Sequence, residues 1–336
     1  MNKEQDNILE FQNVCIDYPL REYTLRAVSE ATLGIKRGKI TALVGESGSG
    51  KTTLASSVMR CISSPGKVAE GKILFFDKCG DSQNVIDITA LDDKQTRKFV
   101  WEKASMVFQA AQSALNPIMT VEQSFAETYK EHFPQADKAE ILQKTRKLLD
   151  YVRLDADRCL KAYPHELSGG MKQRIMIAFS LLFDPQLIIF DEPTTALDVI
   201  TQDYIFRLLK KINRETGISM LLLTHDISVV AKFADYVCVM YSGYVMEYGE
   251  KNAVLRDKKH PYTRGLVNAI PSLSGDLSKM RSVKGTPPDL NNLPQGCVFS
   301  PRCDVCEQRC LSVRPQLYSL PDRKIRCLLF DGESQQ

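Results

Sequence analysis

Residues 39–52 read KITALVGESGSGKT, an apolar stretch that runs directly into a glycine-rich loop ending in Lys51-Thr52. The apolar residues 39–44 predict a buried strand, and the segment after the loop predicts a helix. The pattern G-x-x-x-x-G-K-[ST] turns backbone N–H groups and the positive end of the following helix toward phosphate oxygens. We therefore interpret this strand, loop and helix as a nucleotide phosphate site rather than a chance glycine turn.

The loop supplies most of the expected nucleotide contacts. Lys51 is expected to hold the β- and γ-phosphates of ATP, and Thr52 is expected to ligate Mg²⁺. The candidate binding residues of this segment are Gly45, Glu46, Ser47, Gly48, Ser49, Gly50, Lys51, Thr52 and Thr53.

The remaining chain reads as strands separated by helices. Strands are predicted at 8–18, 31–36, 187–191, 220–224 and 236–240, with a more polar helical region at about 92–168. This alternation indicates an α/β fold with a mostly parallel sheet. After Pro271 the content of proline, glycine, serine and asparagine rises, so we predict one domain over 1–271 and a small Cys-rich C-terminal domain over 272–336.

Composition excludes several functional classes. The chain has 336 residues, 43% of them hydrophobic, and a net charge of +3, which is too mild for a nucleic-acid surface. The N-terminus lacks the pattern of a signal peptide, and the longest apolar stretch, about 175–183, is too short to span a membrane. We expect a cytoplasmic protein whose ten cysteines are not paired as structural disulfides.

Two further segments carry candidate chemistry. Residues 187–192, LIIFDE, form an apolar strand that ends in two carboxylates, which places Asp191 near the Mg²⁺ ion and Glu192 near a water. Residues 167–174, LSGGMKQR, open a helix with Ser168, Gly169 and Gly170, which makes a second anion-binding helix end. Two phosphate sites in one chain indicate a head-to-tail pair, in which each copy completes the nucleotide site of the other.

The series of motifs resembles that of ABC transporter ATPases over about residues 8–270. The resemblance implies a P-loop NTPase core with a parallel sheet, an antiparallel β subdomain and a helical subdomain. The motifs that carry it are the loop 45–52, Gln109 after the strand 106–108, the segments 167–174, 187–192 and 195–198, and His225.

The resemblance also implies roles for single residues. Gln109 would contact Mg²⁺ and the attacking water and link the site to membrane subunits, and Glu192 would be the general base. Asp198 would communicate across the dimer, and His225 would contact the γ-phosphate. Tyr18 corresponds to the aromatic residue that stacks on adenine, with Tyr23 as the alternative because the turn between them is long.

Other stretches resemble the subfamily that serves dipeptide, oligopeptide and nickel importers. They are SALNP at 113–117, YPHE at 163–166, HPYTRGL at 260–266, GTPP at 285–288, and Gly296-Cys297-x-Phe299-x-x-Arg302-Cys303. The chain departs from the subfamily at Ala110-Ala111, where relatives have Asp-Pro after the glutamine. This loop faces the membrane subunits in the family, so the departure bears on coupling.

The C-terminal cysteines form a second candidate site. The spacing of Cys297, Cys303, Cys310 and Cys327 resembles the pattern that holds a [4Fe-4S] cluster in some members of the subfamily, with Cys306 as an alternative ligand. Zinc is the rival, since four thiolates suit it equally, and reduced thiols without a role are the third reading. The isolated thiols are assigned no function: Cys15, Cys61, Cys79, Cys159 and Cys238.

The resemblance implies an ATPase subunit of an importer on the cytoplasmic face of the cell membrane. Its expected partners are a homologous ATPase subunit in a heterodimer, two transmembrane permease subunits and an extracytoplasmic solute-binding protein, and no nucleic acid. Peptides are the expected cargo, and nickel or a metal chelate is the alternative. A soluble ABC ATPase without a membrane partner and a metal-sensing module rank below these.

Overall fold

A computed structural model describes residues 6–79, 82–109, 113–269 and 283–332. The chain divides into two units, one formed by Met1–Ala90 together with Leu221–Gln336 and the other by Leu91–Met220. The predicted domain boundary at 271/272 and the Ala110-Ala111 departure lie outside the described residues, so both stay predictions.

The elements follow one another along the chain as strands and helices. The strands are β1 Asn7–Pro19, β2 Thr24–Lys36, β3 Ile40–Val44, β4 Lys67–Cys79, β5 Ser82–Asp87, β6 Ala104–Val107, β7 Leu187–Asp191, β8 Ser219–Thr224, β9 Tyr236–Tyr241, β10 Tyr244–Glu250, β11 Tyr318–Ser319 and β12 Arg323–Ile325. The helices are α1 Lys51–Val58, α2 Asp93–Phe99, α3 Val121–His132, α4 Lys138–Tyr151, α5 Ala156–Lys161, α6 Gly169–Ser180, α7 Val199–Thr216, α8 Ile227–Phe233, α9 Lys251–Arg256, α10 Pro261–Asn268 and α11 Arg309–Ser312.

The first unit contains an antiparallel sheet in the order β2-β1-β4-β5. Phe11 of β1 lies opposite Leu33 of β2 and Ile73 of β4, and all three side chains are buried. Cross-strand apolar pairs of this kind stabilise antiparallel sheets. The sheet matches the antiparallel β subdomain that the resemblance implied, although the sequence pattern predicted β2 only from residue 31 and did not predict β4 or β5.

A second, mixed sheet in the same unit presents the phosphate loop. The strand β3, buried at every position, pairs in parallel with β9, where Val44 lies opposite Val239. Beyond β9 the order continues antiparallel through β10, β12 and β11. The sequence prediction of a mostly parallel sheet therefore fails at this end, because β9 and β10 form a hairpin and the C-terminal strands add to its edge.

One apolar core joins this sheet to the C-terminal residues. Val298, Phe299 and Leu328 are buried in the same cluster as Val239 and Tyr241 of β9. The ring of Phe299 meets that of Tyr241 edge-on, with the ring centroids 5.3 Å apart. The described part of the Cys-rich segment therefore shares its core with the strand that flanks the phosphate loop strand.

The second unit combines helices with the parallel pair β6 and β7. Its helices begin at residues whose side chains accept a hydrogen bond from the first turn, as expected of N-caps; these are Asp92, Thr120, Asp137, Asp155, Ser168 and Asp198. The stacked rings of Phe125 and Phe179, with centroids 3.7 Å apart, pack α3 against α6. Within the described part of the predicted helical region 92–168, the structure has the helices α2 to α5 and the short strand β6.

Candidate nucleotide site

Glycines of the phosphate loop occupy positions that no other residue fits. Gly50 has a φ of 94°, and a Cβ atom there would lie 2.7 Å from the carbonyl oxygen of Ala27. A Cβ atom on Gly45 would lie 2.2 Å from the carbonyl oxygen of Met240. The loop therefore passes close to neighbouring backbone and requires glycine for both space and conformation.

Lys51 opens α1, and its buried side chain folds back over the loop. The ammonium Nζ donates to the carbonyl oxygens of Gly45 at 2.8 Å and Glu46 at 2.9 Å, and to the hydroxyl of Ser49 at 3.3 Å. Thr52 is exposed on the first turn of α1, and Thr53 is half-buried. The lysine is thus held over the cradle in which the motif predicts phosphate.

Glu46 is contacted by two residues that lie far along the chain. Its backbone N–H donates to the hydroxyl oxygen of Tyr262 at 3.1 Å. Its carboxylate accepts two hydrogen bonds from the guanidinium of Arg302, at 2.6 and 3.0 Å. Sequence reasoning used the stretches around Tyr262 and Arg302 only to choose a subfamily, and it missed their contact with the loop.

Two other predicted residues lie in the first unit. Tyr18 is half-buried near the end of β1, opposite Leu25, whereas Tyr23 is 48% exposed in the turn before β2. His225 is exposed directly after β8, and the next residue, Asp226, caps α8. Tyr18 thus lies near the end of β1, and His225 directly follows β8.

The second unit brings two of the predicted catalytic residues, Gln109 and Glu192, together. Glu192 follows buried Asp191 at the end of β7, and its carboxylate accepts hydrogen bonds from the amide of Gln109 at 3.3 Å and the hydroxyl of Thr195 at 3.1 Å. Glu192 has a φ of 46°, a conformation that costs free energy and often marks a functional position. The contact with Thr195 had no role in the sequence prediction.

The serine-glycine segment lies beside the start of α7. Ser168 caps α6 by accepting the N–H of Met171 at 3.3 Å, and a Cβ atom on Gly170 would lie 2.9 Å from the side chain of Thr201. Thr201 donates its N–H and hydroxyl to Asp198, and these hydrogen bonds lower the pKa of that carboxyl. Two motifs separated by a whole strand in sequence therefore share one corner of this unit.

The C-terminal cysteines occupy one neighbourhood of the first unit. Cys297 and Cys310 are buried and joined by a backbone hydrogen bond of 2.8 Å, Cys303 and Cys327 are half-buried, and Cys306 is exposed. Burial above all, with smaller contributions from nearby Cys297, Cys303 and Cys310, raises the pKa of Cys327 to about 11. Burial likewise raises the pKa of Cys303 to about 11.

These thiols match an iron–sulfur cluster or zinc in kind and number, since either takes four thiolates. Across the residues that the structure describes, however, no group of three or more His, Cys, Asp or Glu side chains is arranged to hold a metal ion. The structure therefore does not support the predicted cluster or the zinc alternative.

Comparison with known proteins identifies the family. Residues 28–195 match the family model described as ABC transporter, and residues 246–310 match the one described as oligopeptide/dipeptide transporter, C-terminal region. The dipeptide transport ATP-binding protein DppD of Caldanaerobacter subterraneus is 37% identical over 96% of this chain and 97% of that protein. The chain belongs to the ABC transporter family. It is an ATP-binding and ATP-hydrolysing protein of that family.

Other members of the ABC transporter family are similar in sequence and in structure. The oligopeptide transport ATP-binding protein OppD of Escherichia coli is 37% identical over 97% of this chain and 94% of that protein. The dimeric structure of the ABC transporter cassette MJ0796 is 31% identical, covers 72% of this chain and 98% of its own, and has a TM-score of 0.60. The structure of cbiO1 from Clostridium perfringens is 30% identical over 76% of this chain and 92% of its own, with a TM-score of 0.62.

Among the described residues, no helix is both long and apolar enough to cross a membrane.

Proposed function

We propose that this ABC protein is the ATPase subunit of a peptide importer and couples ATP hydrolysis to uptake of di- and oligopeptides through separate membrane subunits. The observation that carries this proposal is the 37% identity over nearly the full chain to proteins named for dipeptide and oligopeptide transport. The match of residues 246–310 to the oligopeptide/dipeptide transporter C-terminal region points the same way.

The first part of the mechanism is nucleotide binding. Lys51 exchanges its contacts with the loop carbonyls for the β- and γ-phosphates, and the backbone of 45–52 with Thr53 donates hydrogen bonds to the phosphate oxygens. Tyr18 supplies a flat face for adenine. Thr52, Gln109 and Asp191 offer the hard oxygen ligands that Mg²⁺ prefers. Mg²⁺, when bound, offsets the negative charge of the phosphates.

The second part is hydrolysis. Glu192 accepts the proton of the attacking water as general base, while Gln109 and Thr195 orient its carboxylate through the contacts described above. His225 contacts the γ-phosphate. The two hydrogen bonds that Glu192 accepts from Gln109 and Thr195 support this assignment of roles.

The third part is pairing. Ser168, Gly169 and Gly170 present the start of α6 to the nucleotide held by a partner ATPase, and Asp198 communicates across that interface. The adjacency of Gly170 and Thr201 supports joint action of the two motifs. The partner is a homologous ATPase subunit in a heterodimer. The similarity to a cassette solved as a dimer supports pairing.

Docking to the membrane subunits completes the proposal. Phe108 and Ile118, which flank the loop after Gln109, are 48% and 80% exposed. Exposed apolar side chains of this size indicate an interaction surface, and here the partners are two transmembrane permease subunits that receive peptide from an extracytoplasmic solute-binding protein. The chain then works as a peripheral protein on the cytoplasmic face of the cell membrane.

A [4Fe-4S] cluster held by Cys297, Cys303, Cys310 and Cys327 is a second proposal, with zinc as the alternative metal and Cys306 as the alternative ligand. The spacing of these cysteines along the chain and the backbone hydrogen bond that joins Cys297 to Cys310 support it. Iron and acid-labile sulfide, measured on protein purified without oxygen, distinguish the outcomes. About four irons and four sulfides per chain support the cluster, zinc without sulfide supports the alternative, and metal-free protein refutes both.

Glu192→Gln tests the catalytic role. The amide keeps the shape of the carboxylate but not its basicity, so ATP hydrolysis is expected to fall by about a hundredfold or more while ATP binding is retained. Glu131→Gln, at an exposed position of α3, is the matched control and keeps wild-type turnover. Near-normal hydrolysis by Glu192→Gln would remove Glu192 from the role of base.

The cargo is tested in vesicles that contain this chain, its partner ATPase and the two permeases. Labelled dipeptide with its solute-binding protein is expected to enter on addition of ATP, and the Glu192→Gln variant is expected to abolish entry. Uptake of Ni²⁺ without uptake of dipeptide would instead assign the same ATPase to a nickel importer.

A further inference from the structure

We propose that Arg302 is a positioning residue of the nucleotide site, which holds and neutralises Glu46 of the phosphate loop so that ATP affinity depends on the C-terminal region. Arg302 lies directly before Cys303, more than two hundred residues along the chain from the loop. Its guanidinium nevertheless reaches the second residue of the loop motif.

The contact between Arg302 and Glu46 is a paired hydrogen-bonded ion pair with a buried arginine, not an exposed surface ion pair. Nη1 and Nη2 of Arg302 meet the two carboxylate oxygens of Glu46 at 2.6 and 3.0 Å, and the side chain of Arg302 is only 4% exposed. Paired bonds of this geometry are among the stronger polar contacts in proteins.

The remaining donors of the guanidinium are also satisfied. Nε donates to the carbonyl oxygen of Lys284 at 2.7 Å, and Nη2 donates to that of Gly285 at 3.1 Å. Nη1 donates to the hydroxyl oxygen of Tyr241 at 3.3 Å. Acceptors from the C-terminal region and from β9 thus hold the guanidinium of Arg302 next to the phosphate loop.

Glu46 in turn is held at three points. Its N–H binds Tyr262, its carbonyl oxygen accepts Nζ of Lys51 at 2.9 Å, and its carboxylate binds Arg302. Lys51 is the residue expected to hold the phosphates. A shift of Glu46 therefore moves an acceptor of the Lys51 ammonium and changes how that ammonium meets the nucleotide. This chain of contacts gives the C-terminal region a mechanical connection to the nucleotide.

Charge supplies the second part of the argument. A carboxylate within a loop that binds a triphosphate weakens binding of that triphosphate, because both groups are negatively charged. Like charges at short range repel, and they do so most strongly where water is excluded. Arg302 cancels that charge. Without it, Glu46 either repels the phosphates or turns into solvent and distorts the loop.

The test is a double-mutant cycle on ATP affinity, measured by competition with a fluorescent ATP analogue. Arg302→Met keeps the length of the side chain and removes its charge, and it is expected to weaken ATP binding about tenfold, the scale of coupling between residues in direct contact. Glu46→Gln in the Arg302→Met background is expected to restore the affinity to within about threefold, because no uncompensated charge remains.

A role confined to anchoring the C-terminal region predicts a different pattern. In that case Glu46→Gln would not rescue Arg302→Met, and the double variant would bind ATP as weakly as the single one. Equal affinity of Arg302→Met and the wild type would also overturn the proposal. Turnover at saturating ATP is expected to stay within about twofold of wild type, since the effect lies in binding.

Two further variants complete the design. Glu46→Asp keeps the negative charge but shortens its reach to Arg302, so it is expected to weaken ATP binding without altering the C-terminal region; unchanged affinity would contradict the proposal. Arg309→Met is the matched control, because Arg309 lies in the same region and donates hydrogen bonds to Glu307, Asp331 and the carbonyl oxygen of Leu328. Its ATP affinity is expected to match the wild type.

Discussion

Acidification from pH 7 to pH 5 is expected to destabilise the first unit by about 2 kcal/mol through one histidine, His260. This residue is 1% exposed at the start of α10. Its Nδ1 accepts the backbone N–H of Tyr262 at 3.0 Å, and its Nε2 lies 3.2 Å from the carbonyl oxygen of Arg326. The pair of contacts requires the neutral ring with its proton on Nε2, since a proton on Nδ1 would face the N–H of Tyr262.

The magnitude follows from the pKa in the two states. Burial lowers the pKa of His260 to about 4 in the folded protein, and the nearby positive charge of Arg264 acts in the same direction. The unfolded chain restores the ordinary value of about 6.5. Between these values the unfolded state binds more protons than the folded one, so stability is lost as pH falls from about 6.5 toward 4. At pH 5 the difference amounts to about 2 kcal/mol.

His260→Asn isolates this contribution. Asparagine does not titrate, and its side-chain oxygen replaces Nδ1 as the N-cap acceptor of α10. Urea unfolding is followed by circular dichroism at pH 7 and pH 5, and the change in unfolding free energy between the two pH values is compared between variant and wild type. Subtraction cancels every other group, and the variant is expected to lose about 2 kcal/mol less on acidification.

His165→Asn is the control, because its ring is exposed and the same substitution there is expected to leave the acid sensitivity of the wild type in place. The same loss of stability in His260→Asn as in the wild type would refute the assignment. An unfolding free energy of the wild type that is no lower at pH 5 than at pH 7 would refute it as well.

Two more predictions concern the C-terminal region. Arg323 and Glu247 form an ion pair of 2.8 Å in which both side chains are 0% exposed. Arg323→Met leaves the carboxylate of Glu247 buried without this ion pair, so the free energy of unfolding in urea is expected to fall by about 3–5 kcal/mol. A smaller loss than that of the exposed control Arg309→Met would contradict this. Cys303→Ser tests the proposed metal site and is expected to lower the metal content of protein purified without oxygen, because one of the four proposed ligands is removed. Unchanged metal content would exclude Cys303 as a ligand and direct the test to Cys306.

Much of the nucleotide site was predictable because its chemistry is local in sequence. The loop 45–52 places its glycines and Lys51 within one turn, and the acidic strand end is continuous in residues 187–192. Gln109 and Glu192 were each predicted as site residues, and the structure shows in addition that their side chains lie 3.3 Å apart. The helix start at Ser168 was predictable for the same reason, since capping depends on residues three positions apart.

Other features were not predictable from the sequence pattern. The strand β4 has consecutive apolar residues at 73–76 and β5 is mostly polar, so neither shows the alternation that predicts a strand, and β11 and β12 are too short to produce a periodic signal. The mostly parallel sheet was wrong at one end, because the pairing of β10 with β12 joins residues about seventy-five positions apart. No local pattern encodes such a partner.

The motifs at 45–52, 167–174 and 187–192 are enough to predict ATP binding and hydrolysis and to show a resemblance to ABC transporter ATPases, because such motifs depend on short spacings. The contacts of Arg302 and Tyr262 with Glu46 of the phosphate loop, and the contact of His260 with Arg326, are visible only in the folded protein. These contacts join residues more than sixty and up to two hundred and fifty-six positions apart. They exist because Phe299 and its neighbours share an apolar core with the central strands, and burial of that surface brings distant polar groups within hydrogen-bond distance.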